Sequence, residues 1–161
     1  MKTLQVIQPG LPAAKAVGLQ PIVFATDFSP ASEPAFRKAI ELARKEGAEL
    51  IVAHVFEPPV SLSHSGIADD FIEAQSEDTI RKDVEKQLEP VLAMARAEGV
   101  RVRGEILAGP APKRLVELAE KNGAALLVLG THGRTGLKKL VIGSIANQVV
   151  ATAPCPVLTV R

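Results

Sequence analysis

Short apolar runs alternate along the chain with segments of helical periodicity. The first run, Pro21 to Thr26, carries Ile22, Val23 and Phe24 and ends in Asp27-Phe28-Ser29-Pro30. A run of that length closed by turn residues predicts a buried strand leading into a helix. Two helix starts are open, Ser29 with Pro30 behind it or Ser32 followed by Glu33 and Pro34. Each sets a hydroxyl before a proline-bearing first turn. Ala35, Phe36, Ala39, Ile40 and Ala43 then share one face, while Arg37, Lys38, Glu41, Arg44 and Lys45 lie mainly on the other. That is an amphipathic helix, and Gly47 ends it.

Leu50 to Phe56 is a second apolar run, stopped by Pro58 and Pro59. The polar stretch Ser61 to Asp70 predicts a flexible loop. A long helix follows, with Ile80, Val84, Leu88, Leu92 and Ala95 at spacings of three and four; Pro90 inside it predicts a kink, and Gly99 closes it. Val100 to Leu107 alternates as a third strand, and Pro112 to Lys121 reads as a short helix ended by Gly123. Ala125 to Leu129 is a fourth strand, apolar on both faces. A glycine-rich loop leads to a helix starting near Ser144, and Val157 to Val160 is the last strand.

Strands alternating with helices, several of them apolar on both faces, predict a parallel sheet covered on both sides. Right-handed crossovers restrict this α/β topology to a doubly wound sheet; the arrangement expected is five strands in the order 3-2-1-4-5. Such sheets take ligands beyond the carboxyl ends of their strands, where the winding reverses.

Length and composition narrow the classes. The chain has 161 residues, 47% of them hydrophobic and 23% charged, with a net charge of +1. This fits one soluble domain, residues 21–161, preceded by an N-terminal arm at 1–20. Pro9, Gly10, Pro12 and Lys15 interrupt that arm, so it does not read as a signal peptide. Near-neutral charge gives no electrostatic footprint for nucleic acid or membrane. Trp and Tyr are absent, which removes stacking platforms for single strands. The single cysteine, Cys155, forms no internal disulfide and fits a reducing, cytoplasmic compartment. It reads as a small buried residue between two prolines. No charge lies between Lys139 and Arg161, a length that could span a bilayer, but Pro154 and Pro156 break any single helix. A buried helix followed by a buried strand is expected instead.

The most informative stretch is Gly130-Thr131-His132-Gly133-Arg134-Thr135-Gly136, followed by Gly143-Ser144 at a helix start. Glycines let backbone amides approach an anion closely, and a helix N-terminus adds unpaired amides and a favourable dipole. Each element alone could be a turn or a simple cap. Together, after a buried strand and before a helix, they point to a phosphate site. No glycine precedes a Lys-Ser or Lys-Thr pair, and no G-x-G-x-x-G follows the first strand, so P-loop and Rossmann sites are unsupported. His132 lacks an identifiable acid or nucleophile partner and reads as a loop histidine. Lys138 and Lys139 read as a solvated face.

The spacing G-x2-G-x9-G-S from Gly130 to Ser144 resembles the ATP-binding signature of the universal stress protein family. Ala25 to Ser29, His54-Val55, Leu126 to Arg134 and Ala153 to Leu158 are similar to other segments of that family. The resemblance runs from about Pro21 to the C-terminus. It implies ATP as the bound ligand, with phosphates at Gly130, His132, Gly133, Arg134, Gly143, Ser144 and the Ile145 amide. Ala25, Val55 and Leu129 are then expected around the adenine, Val55 largely through its backbone. Thr26 and Asp27 are expected beside the nucleotide, Asp27 near the ribose or a bridging Mg²⁺ or Mn²⁺, since a carboxylate repels bare phosphate. Asp27 could equally be a turn residue. The resemblance further implies a stress-response role and a homodimer built partly on the last strand, whose open edge invites pairing. Two positions depart from the family pattern: Ala125, where Asp is frequent, and Ala25, where a larger residue is frequent.

A regulatory protein that binds ATP, with at most slow hydrolysis, is the leading expectation, because the phosphate motif lacks a recognisable catalytic base. A metal-dependent ATPase or phosphotransferase using Asp27 and His132, and a structural dimer that binds no nucleotide, are the alternatives.

Overall fold

The computed structural model describes residues 19–58, 67–131 and 143–161, without the side chains of 67–76. In chain order, β1 (Ile22–Ala25), a 3-10 turn (Pro30–Ser32), α1 (Glu33–Glu46), β2 (Leu50–Phe56) and α2 (Ile67–Ala97) come first. They are followed by β3 (Val102–Ala108), α3 (Ala111–Asn122), β4 (Leu126–Gly130), α4 (Ser144–Thr152) and β5 (Val157–Val160). The strands form one five-stranded, all-parallel sheet in the order β3-β2-β1-β4-β5. The expected topology is therefore present.

Strand parity divides the core. Phe24, Val52, Ile106 and Val128 face one side, where they pack with Phe36 and Ile40 of α1 and Leu88 and Leu92 of α2. Val23, Ile51, Leu107 and Leu127 face the other, with Leu115 and Leu118 of α3 and Ala146 and Val149 of α4. Both faces of the central strands are buried, which is why their sequences run apolar without alternation. At Gly104 of β3 a Cβ would stand 2.5 Å from Leu88 Cδ2, so the missing side chain lets α2 lie close on the sheet.

Both helix-start signals are used in succession. Pro30 opens the 3-10 turn, and α1 begins at Glu33 with Pro34 in its first turn. Neither serine makes a side-chain cap. Ser29 turns its hydroxyl back to Asp27, and Ser32 donates to the Ser29 carbonyl at 2.8 Å.

Two expectations need correction. The helix α2 starts at Ile67, inside the segment expected to be a loop. Polar composition alone does not separate a loop from the start of a solvated helix. Pro90 lies inside α2 as expected, between Leu88 and Leu92, which are both buried against the sheet. The helix and strand of the uncharged C-terminal segment are only partly buried. The helix α4 buries only Ala146 and Val149, leaves Ile145 and Val150 about half exposed, and β5 is half-buried along its length. The reason is position, since β5 is an edge strand with β4 on one side alone. Among the described residues no helix is long and apolar enough to cross a membrane.

Candidate functional site

A cavity of about 340 Å³ opens at the carboxyl ends of β1, β2 and β4, on the side covered by α3 and α4. Its origin lies in the layering of that face. One layer up the strands is large: Ile51, Val23 and Leu127 stand side by side in register. The next layer is Ala53, Ala25 and Leu129. Two alanines replace two branched side chains, and the helices facing them contribute Ala111, Leu115 and Ala146. Among the described residues nothing fills the space, so their core ends in a hollow rather than a packed layer. The volume falls at the lower end of the range for small-molecule pockets.

The polar rim comes from the turn after β1. Asp27 Oδ1 accepts the Ser29 amide at 3.0 Å and the Ser29 hydroxyl at 2.6 Å, an Asx turn that swings the chain off the sheet. Thr26 Oγ1 accepts the Phe28 amide at 3.0 Å and lies 3.3 Å from Ser32 Oγ. Since Ser32 gives its single proton to the Ser29 carbonyl, Thr26 is the donor to Ser32. Phe28 sits at φ 60°, a conformation costly for a bulky residue, and its ring stacks on His54 with centroids 4.4 Å apart. Asp27 thus serves the turn and lines the cavity at once.

The opposite rim is the start of α4. Gly143 N–H donates to the Thr131 carbonyl at 2.9 Å, which brings the residue after β4 against the first residues of the helix. The helix has no side-chain cap and no acidic residue in its first turn. Its positive end therefore meets the cavity without an internal counter-charge.

The β2 strand offers backbone groups. Thr26 N–H donates to the Ala53 carbonyl, and Gly109 N–H donates to that of Phe56, both at 2.9 Å. Backbone direction alternates along a parallel strand, so odd residues of β2 face β1 and even ones face β3. Val55 N–H and C=O therefore point towards β1, which has ended two residues short of their level.

Of the residues expected at the site, Ala25, Thr26, Asp27, Val55, Leu129, Gly130, Gly143, Ser144 and Ile145 all line this cavity. His132, Gly133 and Arg134 lie outside the described residues. Sequence reasoning missed Ser32, Ala53, Ala111, Leu115, Thr131 and Ala146. Ala53 was within reach of parity, standing two residues before Val55 on the same face. The helical contributions had no signal, because alanine on a buried helix face reads as core. Among the described residues no cluster of three His, Cys, Asp or Glu side chains could hold a metal ion.

Comparison with known proteins bears on this geometry. The family model described as the universal stress protein family matches residues 18–161. Universal stress protein MJ0531 of Methanocaldococcus jannaschii is 36% identical over 142 residues, covering 87% of this chain and 81% of its own length. The fold superposes on the structure of MJ0577 from the same organism with a TM-score of 0.77 at 24% identity, covering 88% of this chain and 94% of that one. A universal stress protein from Archaeoglobus fulgidus, solved in complex with dAMP, gives a TM-score of 0.63 at 26% identity and covers 89% of this chain and 98% of that one.

Proposed function

The chain belongs to the universal stress protein family, and from that premise we propose that it binds ATP as a regulatory ligand and turns it over slowly or not at all. The observation that carries this reading is the single cavity mouth shared by an apolar hollow, a backbone donor–acceptor pair at Val55 and the uncapped N-terminus of α4. A purine needs the first two and a polyphosphate needs the third. The dAMP bound by the Archaeoglobus fulgidus protein supports an adenine nucleotide here.

In this reading the base enters between Ala25, Val55 and Leu129, with Val55 serving its polar edge. Asp27 meets the ribose. Gly130, Gly143, Ser144 and the Ile145 amide hold phosphate oxygens, joined by His132, Gly133 and Arg134 from the glycine loop. Asp27 is one carboxylate and makes no cage for a cation, so any Mg²⁺ or Mn²⁺ belongs with the phosphates. Slow turnover is supported by the rim, where the ionisable side chain among the described lining residues is a carboxylate already holding Ser29.

The decisive experiment is calorimetric titration of the purified, nucleotide-stripped protein with ATP, together with mass analysis of nucleotide carried through purification. The reading expects saturable, near one-to-one binding and an adenine nucleotide in the extract. A folded protein that takes up no adenine nucleotide would sink it. The homodimer belongs to the same reading and is tested separately through β5.

A further inference from the structure

The β1–β2 ladder closes one step early, and the side chain that closes it is His54. After Thr26 N–H has paired with the Ala53 carbonyl, the next bond of a parallel ladder runs from Val55 N–H to the Thr26 carbonyl. That bond is not made. The Thr26 carbonyl lies 2.8 Å from His54 Nδ1 instead. A carbonyl only accepts, so Nδ1 carries the proton. The imidazole is held over this point by the Phe28 ring, 4.4 Å away and tilted by 25°. Phe28 reaches it because its backbone is at φ 60°.

We propose that His54 is a positioning residue for the nucleotide base: by holding the Thr26 carbonyl, with Phe28 stacked on its ring, it fixes the end of β1 so that Val55 N–H stays out of the sheet and faces the cavity beside the Val55 carbonyl. The proposal rests on the nucleotide-binding reading and adds to it a residue that does not line the cavity. Adenine carries an amino donor next to a ring acceptor, N6–H beside N1, which matches a carbonyl and an amide of one residue. Without the imidazole, the sheet would zip one bond further, and the adenine edge would lose its donor. The strained Phe28 backbone then has a role, since it places the ring that orients the imidazole.

The test has a ligand-free arm and a ligand arm. In the nucleotide-free wild type at a pH where the imidazole is neutral, nitrogen NMR is expected to show His54 protonated at Nδ1. The Val55 amide is expected to exchange with solvent at least about tenfold faster than the ladder-paired Ala53 amide. An Nε2–H tautomer, or a Val55 amide as protected as Ala53, overturns the proposal whatever the ligand. In the ligand arm, His54→Leu is expected to weaken ATP by about tenfold, the worth of one buried hydrogen bond. Affinity for inorganic tripolyphosphate should stay unchanged. His54→Asn, whose amide can stand in for Nδ1–H, should keep ATP within about threefold of wild type and guards against a variant that merely folds badly. Unchanged ATP affinity in His54→Leu, or an equal loss of tripolyphosphate, overturns the proposal. A wild type that binds no ATP removes the nucleotide reading instead, and the ligand-free arm still decides what His54 does to Val55.

Discussion

The amide of Gly143 donates to the Thr131 carbonyl at 2.9 Å, and that same oxygen lies 3.2 Å from where a Cβ on residue 143 would stand. The backbone at Gly143 is at φ −55° and ψ 153°, which any residue adopts. Glycine is therefore favoured here by close approach and not by conformation. An alanine must push the two chain segments apart by a few tenths of an ångström, and a valine by more. Gly143→Ala is expected to lower Tm by about 2–4 °C, the size of a 1 kcal/mol cost in a chain of this length, and to weaken ATP about tenfold. Gly143→Val is expected to keep the far-UV circular dichroism of the fold and lose ATP binding in calorimetry. Equal affinity in the valine variant would place the phosphates elsewhere.

The hollow invites the opposite experiment. Ala53 is fully buried yet lines the cavity, in register with Ala25. A valine there adds two methyls at the wall of the cavity. Burial of those two extra carbons is worth about 1.6 kcal/mol at most. Ala53→Val is thus expected to leave Tm unchanged or raised, while ATP affinity falls by about tenfold or more. A variant that loses stability without losing affinity would show that the base does not use this hollow. The pair of readouts separates filling a site from damaging a core.

These two cases show where sequence reasoning reaches and where it stops. The alternation of apolar runs with amphipathic helices and the Gly143-Ser144 helix start are local patterns, so the parallel doubly wound sheet and the start of α4 are legible, while Val55 enters only through the family resemblance. The cavity is a tertiary absence. It arises because Ala25, Ala53, Ala111 and Ala146, spread over two strands and two helices, meet at one level. Each alone reads as ordinary core. The departure noted at Ala25 is the trace this left in the sequence. His54 was likewise opaque, because its role depends on where β1 ends and on the turn that Asp27 makes. The start of α2 at Ile67 was hidden by composition, since polar residues suit a loop and a solvated helix equally.

Cys155 supplies a pH dependence of known sign. It packs, half-buried, against the α3–α4 side of the core, and burial pushes its thiol above the ordinary value of 9.0. The folded state thus favours the neutral thiol more than the unfolded chain does. Its contribution to stability is complete below the unfolded pKa and is lost as pH rises through the folded one. Stability measured by urea denaturation should decline between about pH 8 and 10, and Cys155→Ala should flatten that decline. In the same range the native thiol should react with a disulfide reagent more slowly than in the denatured chain, because the thiolate is the nucleophile. Equal rates in the two states would mean that burial does not govern this thiol.

The edge of the sheet yields the last prediction. Leu127 N–H donates to the Pro156 carbonyl and Thr131 N–H to that of Val160, so even residues of β5 serve β4. Val157 and Thr159 direct their backbone groups outward, along an edge with no strand beside it among the described residues. The same edge adjoins α4, whose exposed surface is uncharged and includes Ile145 and Val150. An uncharged edge left bare invites a second strand, whereas solitary edges carry charge or proline. If two copies pair there, Thr159→Pro removes one outward N–H and leaves every bond to β4 in place. The wild type is then expected to sediment as a dimer. Thr159→Pro should sediment as a monomer with its secondary structure retained, and it should unfold at a lower temperature because the partner no longer stabilises the fold. Thr159→Val, which keeps the N–H, should remain dimeric. A proline variant that dimerises as the wild type does would move the interface off β5, and a monomeric wild type would remove it altogether.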